Sequence, residues 1–278
     1  MTAAGGRSNL QLRMMSAIVL AIVVLALTWA GGFWYRLLSA VIGAAVLYEW
    51  TSMVLSKEQA VHRVLLGLLF LPVLALLVIG YSILPTLIVL AAVFVVALIY
   101  GVATKSGLRP SLGVLYAGIS AVSLAALRND DSSGLAVTIF LFAVVWATDI
   151  AAYFVGRKFG GPKLAPSISP GKTWSGAIGG TLGAVVAGLI VAWSYGTSWN
   201  VVALFVLILV LSAISQIGDL FESSIKRRYG VKDSSQLIPG HGGVMDRVDG
   251  LVAAAAALFI LGAVFVSPDF PAHFLFAR

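Results

Sequence analysis

The chain has 278 residues, of which 60% are hydrophobic, 10% are charged and none is cysteine, and its mean hydropathy is +1.02. A globular domain in water carries roughly a quarter charged residues, so the composition excludes an ordinary soluble fold, while the lack of cysteine excludes disulfides and thiolate metal sites. The net charge of +7 is accounted for by membrane topology and attraction to anionic headgroups, and nucleic acid is not expected as a partner.

In chain order, the start from Met1 to Met15 is polar, with Arg7 and Arg13. The apolar run after it has no small-residue cleavage site at its end and is expected to be a retained first helix rather than a removed leader. Nine membrane-length runs are predicted, at about 14–32, 36–55, 64–82, 86–104, 110–127, 135–156, 174–194, 201–222 and 247–267. None alternates as a barrel strand would. The predicted fold class is therefore an all-α polytopic membrane protein of about nine transmembrane helices. It forms a single membrane domain, 1–278, with N-terminal helices over 14–127 and C-terminal helices over 135–267 carrying the site. With the N-terminus cytoplasmic and the C-terminus opposite, 15 of the 18 basic residues fall inside, leaving Arg36, Arg128 and Arg278 outside. The expected location is the plasma (inner) membrane, with the site facing the cytoplasm.

The sixth run ends on Asp149 and, four residues later, Tyr153, on one helical face. A carboxylate that deep in a span needs a partner and usually marks function; helix-to-helix pairing alone is the structural alternative. The loop that follows, Gly156 to Thr173, holds glycines that let backbone amides approach an anion, the charge of Lys172, and the hydroxyls of Ser169 and Thr173 ahead of the next helix. A phosphate cradle and an ordinary turn-rich loop both fit these features. Gly171-Lys172-Thr173 is not a P-loop, because Pro166 stands where the upstream glycine is required.

In the eighth run, Ser212, Ser215, Gln216, Asp219, Glu222, Ser223 and Lys226 make one polar stripe at helical spacing. Interhelical hydrogen bonding can explain Ser212 and Ser215, but Asp219 and Glu222 together call for a cation. All ligands at hand are hard oxygens, with His241 the one nearby imidazole, which favours Mg²⁺ or Mn²⁺ over zinc; a second cation is allowed. The next loop closes on Gly240-His241-Gly242-Gly243, and Asp246 and Asp249 then stand three apart at the start of the ninth helix. Capping of that helix is the alternative role for Asp246, and hydrogen bonding within the loop is the alternative for His241.

The pattern Ser223-x-Ile225-Lys226-Arg227-x4-Lys232-Asp233-x-Ser235-x2-Ile238-Pro239-x-His241-Gly242-Gly243-Val244-x-Asp246-Arg247-Val248-Asp249 resembles the signature of the phosphatidate cytidylyltransferase family without a mismatch. Further similarity lies in Asp149-x3-Tyr153-x2-Gly156-Arg157, Ser169-Pro170-x-Lys172-Thr173, Gln216-x-Gly218-Asp219-Leu220-x-Glu222-Ser223 and the pair Glu49-Trp50. Ser175 departs from the family, where glutamate is frequent. The resemblance implies transfer of CMP from CTP to phosphatidate, giving CDP-diacylglycerol and pyrophosphate for phospholipid synthesis, dependent on Mg²⁺. The expected partners are CTP, phosphatidate and the bilayer, and a homodimer is compatible with all of this. Asp219 and Asp246 are expected to bind metal first, then Asp249, Glu222 and Asp149. Lys226 and Ser223 join Asp219 and Asp246 as catalytic groups. Lys172, Ser169, Thr173, Arg227, Lys232, His241, Gly242, Gly243 and Arg247 are expected to hold substrate phosphates.

Overall fold

A computed structural model describes residues 9–238 and 242–276. Among them are nine α-helices: α1 (Asn9–Ala30), α2 (Gly32–Val54), α3 (Ala60–Ile79), α4 (Ile83–Ala103), α5 (Arg109–Arg128), α6 (Ser132–Phe159), α7 (Trp174–Ser194), α8 (Val201–Arg228) and α9 (Met245–Phe265). Eight of these are long and apolar enough to cross a membrane, and α1 adds the apolar stretch Ala17–Ala30. With no water in a hydrocarbon core, the helix is the element that satisfies every backbone group within itself. The exposed Ile, Leu, Val and Phe side chains on the outer faces, such as Ile88, Ile99, Leu182 and Val186, are those a lipid-facing surface requires.

One expectation needs correction. The segment between α6 and α7, read as a loop, contains a small antiparallel hairpin of β1 (Lys163–Ala165) and β2 (Ser169–Thr173), with Lys163 opposite Thr173. It is all the sheet among the described residues apart from one isolated bridge, Ile238 with Gly242.

Helix α5 is the centre of the bundle: 78% of its apolar window is buried, against 22% for α3 and α4 at the periphery. Around it the core is built from Leu124 and Leu127, Phe140 and Val144 of α6, Leu204, Ile208 and Leu211 of α8, and Ala254, Ala255 and Leu258 of α9.

The closest helix pair is α6 with α7, and glycine is the cause. A Cβ at Gly180 would stand 2.7 Å from the Thr148 carbonyl oxygen, at Gly179 2.6 Å from Val155 Cβ, and at Gly183 2.6 Å from Ala151 Cβ. The spacing Gly176-x3-Gly180 and Gly179-x3-Gly183 puts these positions on one ridge, and small residues at that spacing let membrane helices meet backbone to backbone. Thr148 then reaches α8, with its Oγ1 2.9 Å from Ser212 Oγ, and Ser212 donates to Thr181 Oγ1 of α7 at 3.2 Å. These bonds fix how α6, α7 and α8 are turned about their axes, and so which side chains they aim at the site.

Candidate active site

Helices α6 and α8 have 28 residues each, about 42 Å at 1.5 Å per residue, against a hydrocarbon thickness of about 30 Å. Both carry their polar residues toward the C-terminal end. Those ends, the N-termini of α7 and α9 and the hairpin enclose a cavity of about 890 Å³. Its lining includes seven basic side chains, Arg157, Lys163, Lys172, Lys226, Arg227, Lys232 and Arg247, and five aspartates, Asp149, Asp219, Asp233, Asp246 and Asp249.

The helix ends are prepared locally. Thr173 caps α7, its Oγ1 accepting from the Gly176 amide at 3.1 Å. Ser175 donates to the carbonyl of Gly160, the residue that ends α6, and lies 3.1 Å from Thr173 Oγ1. The departure at Ser175 thus has a visible use: it ties the base of the hairpin to α6. Arg227 Nε donates to the Ile168 carbonyl at 3.3 Å, holding the hairpin tip to α8.

Inside the cavity, Lys172 Nζ stands 2.6 Å from Asp219 Oδ2, an ion pair across the gap between β2 and α8. The Ser223 hydroxyl donates to Asp219 Oδ1 at 3.3 Å. Lys226 Nζ is 2.5 Å from Asp246 Oδ1 and 3.2 Å from Glu222 Oε1. The other oxygen of Asp246 takes the Gly243 amide at 2.8 Å and the Ser234 amide and hydroxyl at 2.9 Å. Asp249 Oδ1 accepts its neighbour Gly250's amide at 2.8 Å. Asp149, far from either end of α6, is exposed to the cavity.

Of the residues singled out from the sequence, Asp149, Ser169, Lys172, Thr173, Asp219, Lys226, Arg227, Lys232, Asp246, Arg247 and Asp249 line this one cavity. Glu222, Ser223, Gly242 and Gly243 do not. Glu222 is fully buried in the interior, because the α8 stripe is wider than the cavity and its far edge turns into the bundle. Ser223 sits behind Asp219, and the Gly243 amide is already used by Asp246. His241 lies outside the described residues. The stripe's upper part does hold helices together, through Ser212.

Sequence reasoning gave no site role of their own to Arg157, Lys163, Gln216 or Asp233, which also line the cavity. Gln216 stood on the α8 stripe and Arg157 and Asp233 in the family-like patterns, while Lys163 was visible only as loop charge. Glu49 of α2 was noted only as one of a pair, yet it is fully buried and accepts four hydrogen bonds from the loop ahead of α9.

The sequence matches the family model of the cytidylyltransferase family over residues 11–265. The chain belongs to the cytidylyltransferase family. Among curated relatives, a Brucella suis protein named phosphatidate cytidylyltransferase is 51% identical over 97% of this chain and 99% of its own length. A Rickettsia typhi protein of the same name is 30% identical over 91% and 92%. One from Haemophilus influenzae is 49% identical over 50% of this chain and 49% of its own length. The 49% match covers half the chain, while the family match spans both the cavity helices and α2 to α4.

The donor chemistry of the cavity fits a hard divalent cation, since its acidic groups are carboxylates alone. Among the described residues no three His, Asp or Glu side chains are gathered into a cage. A site of one or two carboxylates, completed by water and substrate phosphates, is the kind Mg²⁺ takes. Asp246 Oδ2 accepts the Gly243 and Ser234 amides and shares the Ser234 hydroxyl with Glu49, so Asp246 can offer only Oδ1, in competition with Lys226.

Proposed function

We propose that this protein is a phosphatidate cytidylyltransferase, moving CMP from CTP to phosphatidate at a membrane surface and releasing pyrophosphate. The observation that carries the reading is the cavity itself, where seven cations and five carboxylates surround a space that descends between membrane helices. A triphosphate and a phosphate monoester bring the anionic charge this excess of cations suits. Relatives of that name matching nearly the whole chain support the choice of substrates.

In this reading an oxygen of the phosphatidate phosphate attacks the α-phosphorus of CTP in line, and the bond to the β-phosphate oxygen breaks as pyrophosphate leaves. The attacking group is already an anion near neutral pH, so no protein nucleophile or general base is needed, and the work of the chain is positioning and charge neutralisation. Lys172, freed from Asp219 by an arriving phosphate, supplies a point charge beside the N-terminus of α7. Among the described residues Lys163, Lys232 and Arg247 make no ion pair, so they meet phosphate without first giving up a carboxylate. Lys226 stays anchored by Glu222 and shares Asp246 Oδ1 with the metal site, turning its free hydrogens to the cavity. Asp219, together with Oδ1 of Asp246 once Lys226 yields it, would hold Mg²⁺, with Asp249 and Asp149 beside them, and the ion would supply charge neutralisation for the triphosphate. The basic residues on this end of the helices support a cytoplasmic orientation for the cavity, and the plasma membrane is the location proposed with it.

The test is purified protein with phosphatidate and CTP labelled at either the α- or the γ-phosphate. Label should enter the lipid from α-labelled CTP, with stoichiometric pyrophosphate. Lipid labelled from the γ-position instead would mean a kinase, and the reading would fall.

A further inference from the structure

Helix α9 begins without a cap of its own: Val244 at its N-cap makes no side-chain hydrogen bond. The acceptor comes from α2. Glu49 Oε1 accepts the Val244 amide at 2.8 Å, and Oε2 the Met245 amide at 2.7 Å, which places a full negative charge on the positive end of the α9 dipole. The same carboxylate takes the Ser235 hydroxyl on Oε1 at 2.6 Å and lies 3.1 Å from Ser234 Oγ on Oε2. Ser234 Oγ is also 2.9 Å from Asp246 Oδ2, so its single proton lies between two carboxylates.

A buried carboxylate loses several kcal/mol of hydration, recovered only through good hydrogen-bond geometry. A cap alone would not require this, since serine or aspartate at position 244 would serve α9 from within its own chain segment. Glu49 grips both ends of one loop: Ser234 and Ser235 where the chain leaves the cavity, Val244 and Met245 where it returns. Directly outside those grips stand Lys232 and Asp233 on one side and Asp246 and Arg247 on the other, and all four line the cavity. The carboxylate itself does not line it. Its helix is in turn oriented by the neighbouring Trp50, whose Nε1 donates to the Arg109 carbonyl at 2.9 Å and whose ring stacks on Phe221 of α8.

We infer that Glu49 is a positioning residue for cytidylyl transfer: by binding Ser234 and Ser235 on one side and Val244 and Met245 on the other, it sets the spacing of Lys232 and Asp233 against Asp246 and Arg247. The inference rests on the function proposed above. Glu49→Gln keeps the shape but turns an NH₂ toward amide donors. Wild type, E49Q, S235A and E49Q/S235A are purified as monodisperse protein in detergent. Three quantities are measured: kcat and KM for CTP with phosphatidate, the thermal midpoint, and the rate of tryptic cleavage after Lys232.

E49Q should lower kcat at saturating substrate at least tenfold and speed cleavage after Lys232 at least threefold. S235A should lower kcat/KM about threefold with an unchanged midpoint, and the double variant should lie within twofold of E49Q, because both changes release one clamp. E49Q with kcat and KM within twofold of wild type overturns the inference, as do penalties that multiply. If E49Q yields no monodisperse protein, S235A decides, and unchanged kinetics there overturn it. If wild type itself transfers no CMP, the proposed function fails, and the cleavage rates of wild type and E49Q still test the clamp; equal rates overturn it.

Discussion

The contact between α6 and α7 can be broken by a single methyl group. Gly180→Ala would put a Cβ 2.7 Å from the Thr148 carbonyl oxygen and 3.0 Å from Ala152 Cβ, where ordinary contact begins at 3.4 Å. The shortfall of about 0.7 Å cannot be relieved by a side-chain rotation, because the obstacle is backbone; the helices must part, and overpacking of this kind costs about 1–3 kcal/mol. Better intrinsic helix propensity returns up to about 1 kcal/mol. At about 2–4 °C per kcal/mol for chains approaching this size, the thermal midpoint in detergent should fall by up to about 8 °C from wild type, and by about 2–12 °C relative to a glycine-to-alanine change that gains only the propensity. Gly67→Ala is the matched control, a helical glycine whose added Cβ meets nothing within 4 Å, and it should melt with wild type or slightly above. Parting α6 from α7 also moves Asp149 away from Lys172 and Thr173, so CMP transfer should fall in G180A and not in G67A. Equal midpoints for the two variants would refute the claim that glycine sets this seam.

Lys172→Met removes the charge that faces Asp219 at 2.6 Å; a hydrogen bond between charged groups is worth about 1.5–3 kcal/mol, so kcat/KM for CTP should drop about 10- to 150-fold in steady-state kinetics. Asp219→Asn and Asp246→Asn should each depress CMP incorporation at every Mg²⁺ concentration while eluting normally from a sizing column, and normal activity in both would remove them from the site. Ser175→Ala loses one neutral hydrogen bond at the foot of the hairpin, worth about 1 kcal/mol, and should raise KM for CTP about two- to fivefold with the midpoint little changed. Chelation of divalent ions should abolish transfer, and titration with Mg²⁺ or Mn²⁺, but not Zn²⁺, should restore it.

The helices were readable because each is a long apolar run, and the nine expected spans lie within about six residues of the observed helices at either end; α1 to α3 begin four or five residues earlier than expected, and α6 and α8 run on past the apolar stretch to Phe159 and Arg228. Their extensions are polar, which hides them from a hydropathy window but not from a helix supported by its neighbours. The hairpin was unreadable for the opposite reason: β1 and β2 are short and without alternation, Pro166 follows β1 directly and Pro170 falls inside β2, so only the fold around them supplies the pairing. Helical spacing placed Gln216, Asp219 and Lys226 on the face they occupy. It could not say that Glu222, one turn along the same stripe, would be turned inward, since that depends on where α9 packs. Glu49 was beyond reach of any local pattern because its donors lie 185 to 196 positions away.

The length of α6 and α8 has an energetic consequence for a two-chain lipid. Asp149 lies ten residues before the end of α6 and Asp219 nine before the end of α8, about 13–15 Å along the axis, so the floor of the cavity is well below the rim. Lifting a lipid with on the order of 30 methylenes into water costs about 0.8 kcal/mol for each, some 24 kcal/mol, a barrier comparable to that of many uncatalysed reactions. In the proposed reaction a well sunk to this depth would bring the water-soluble nucleotide down instead, so that the acyl chains need not leave the bilayer.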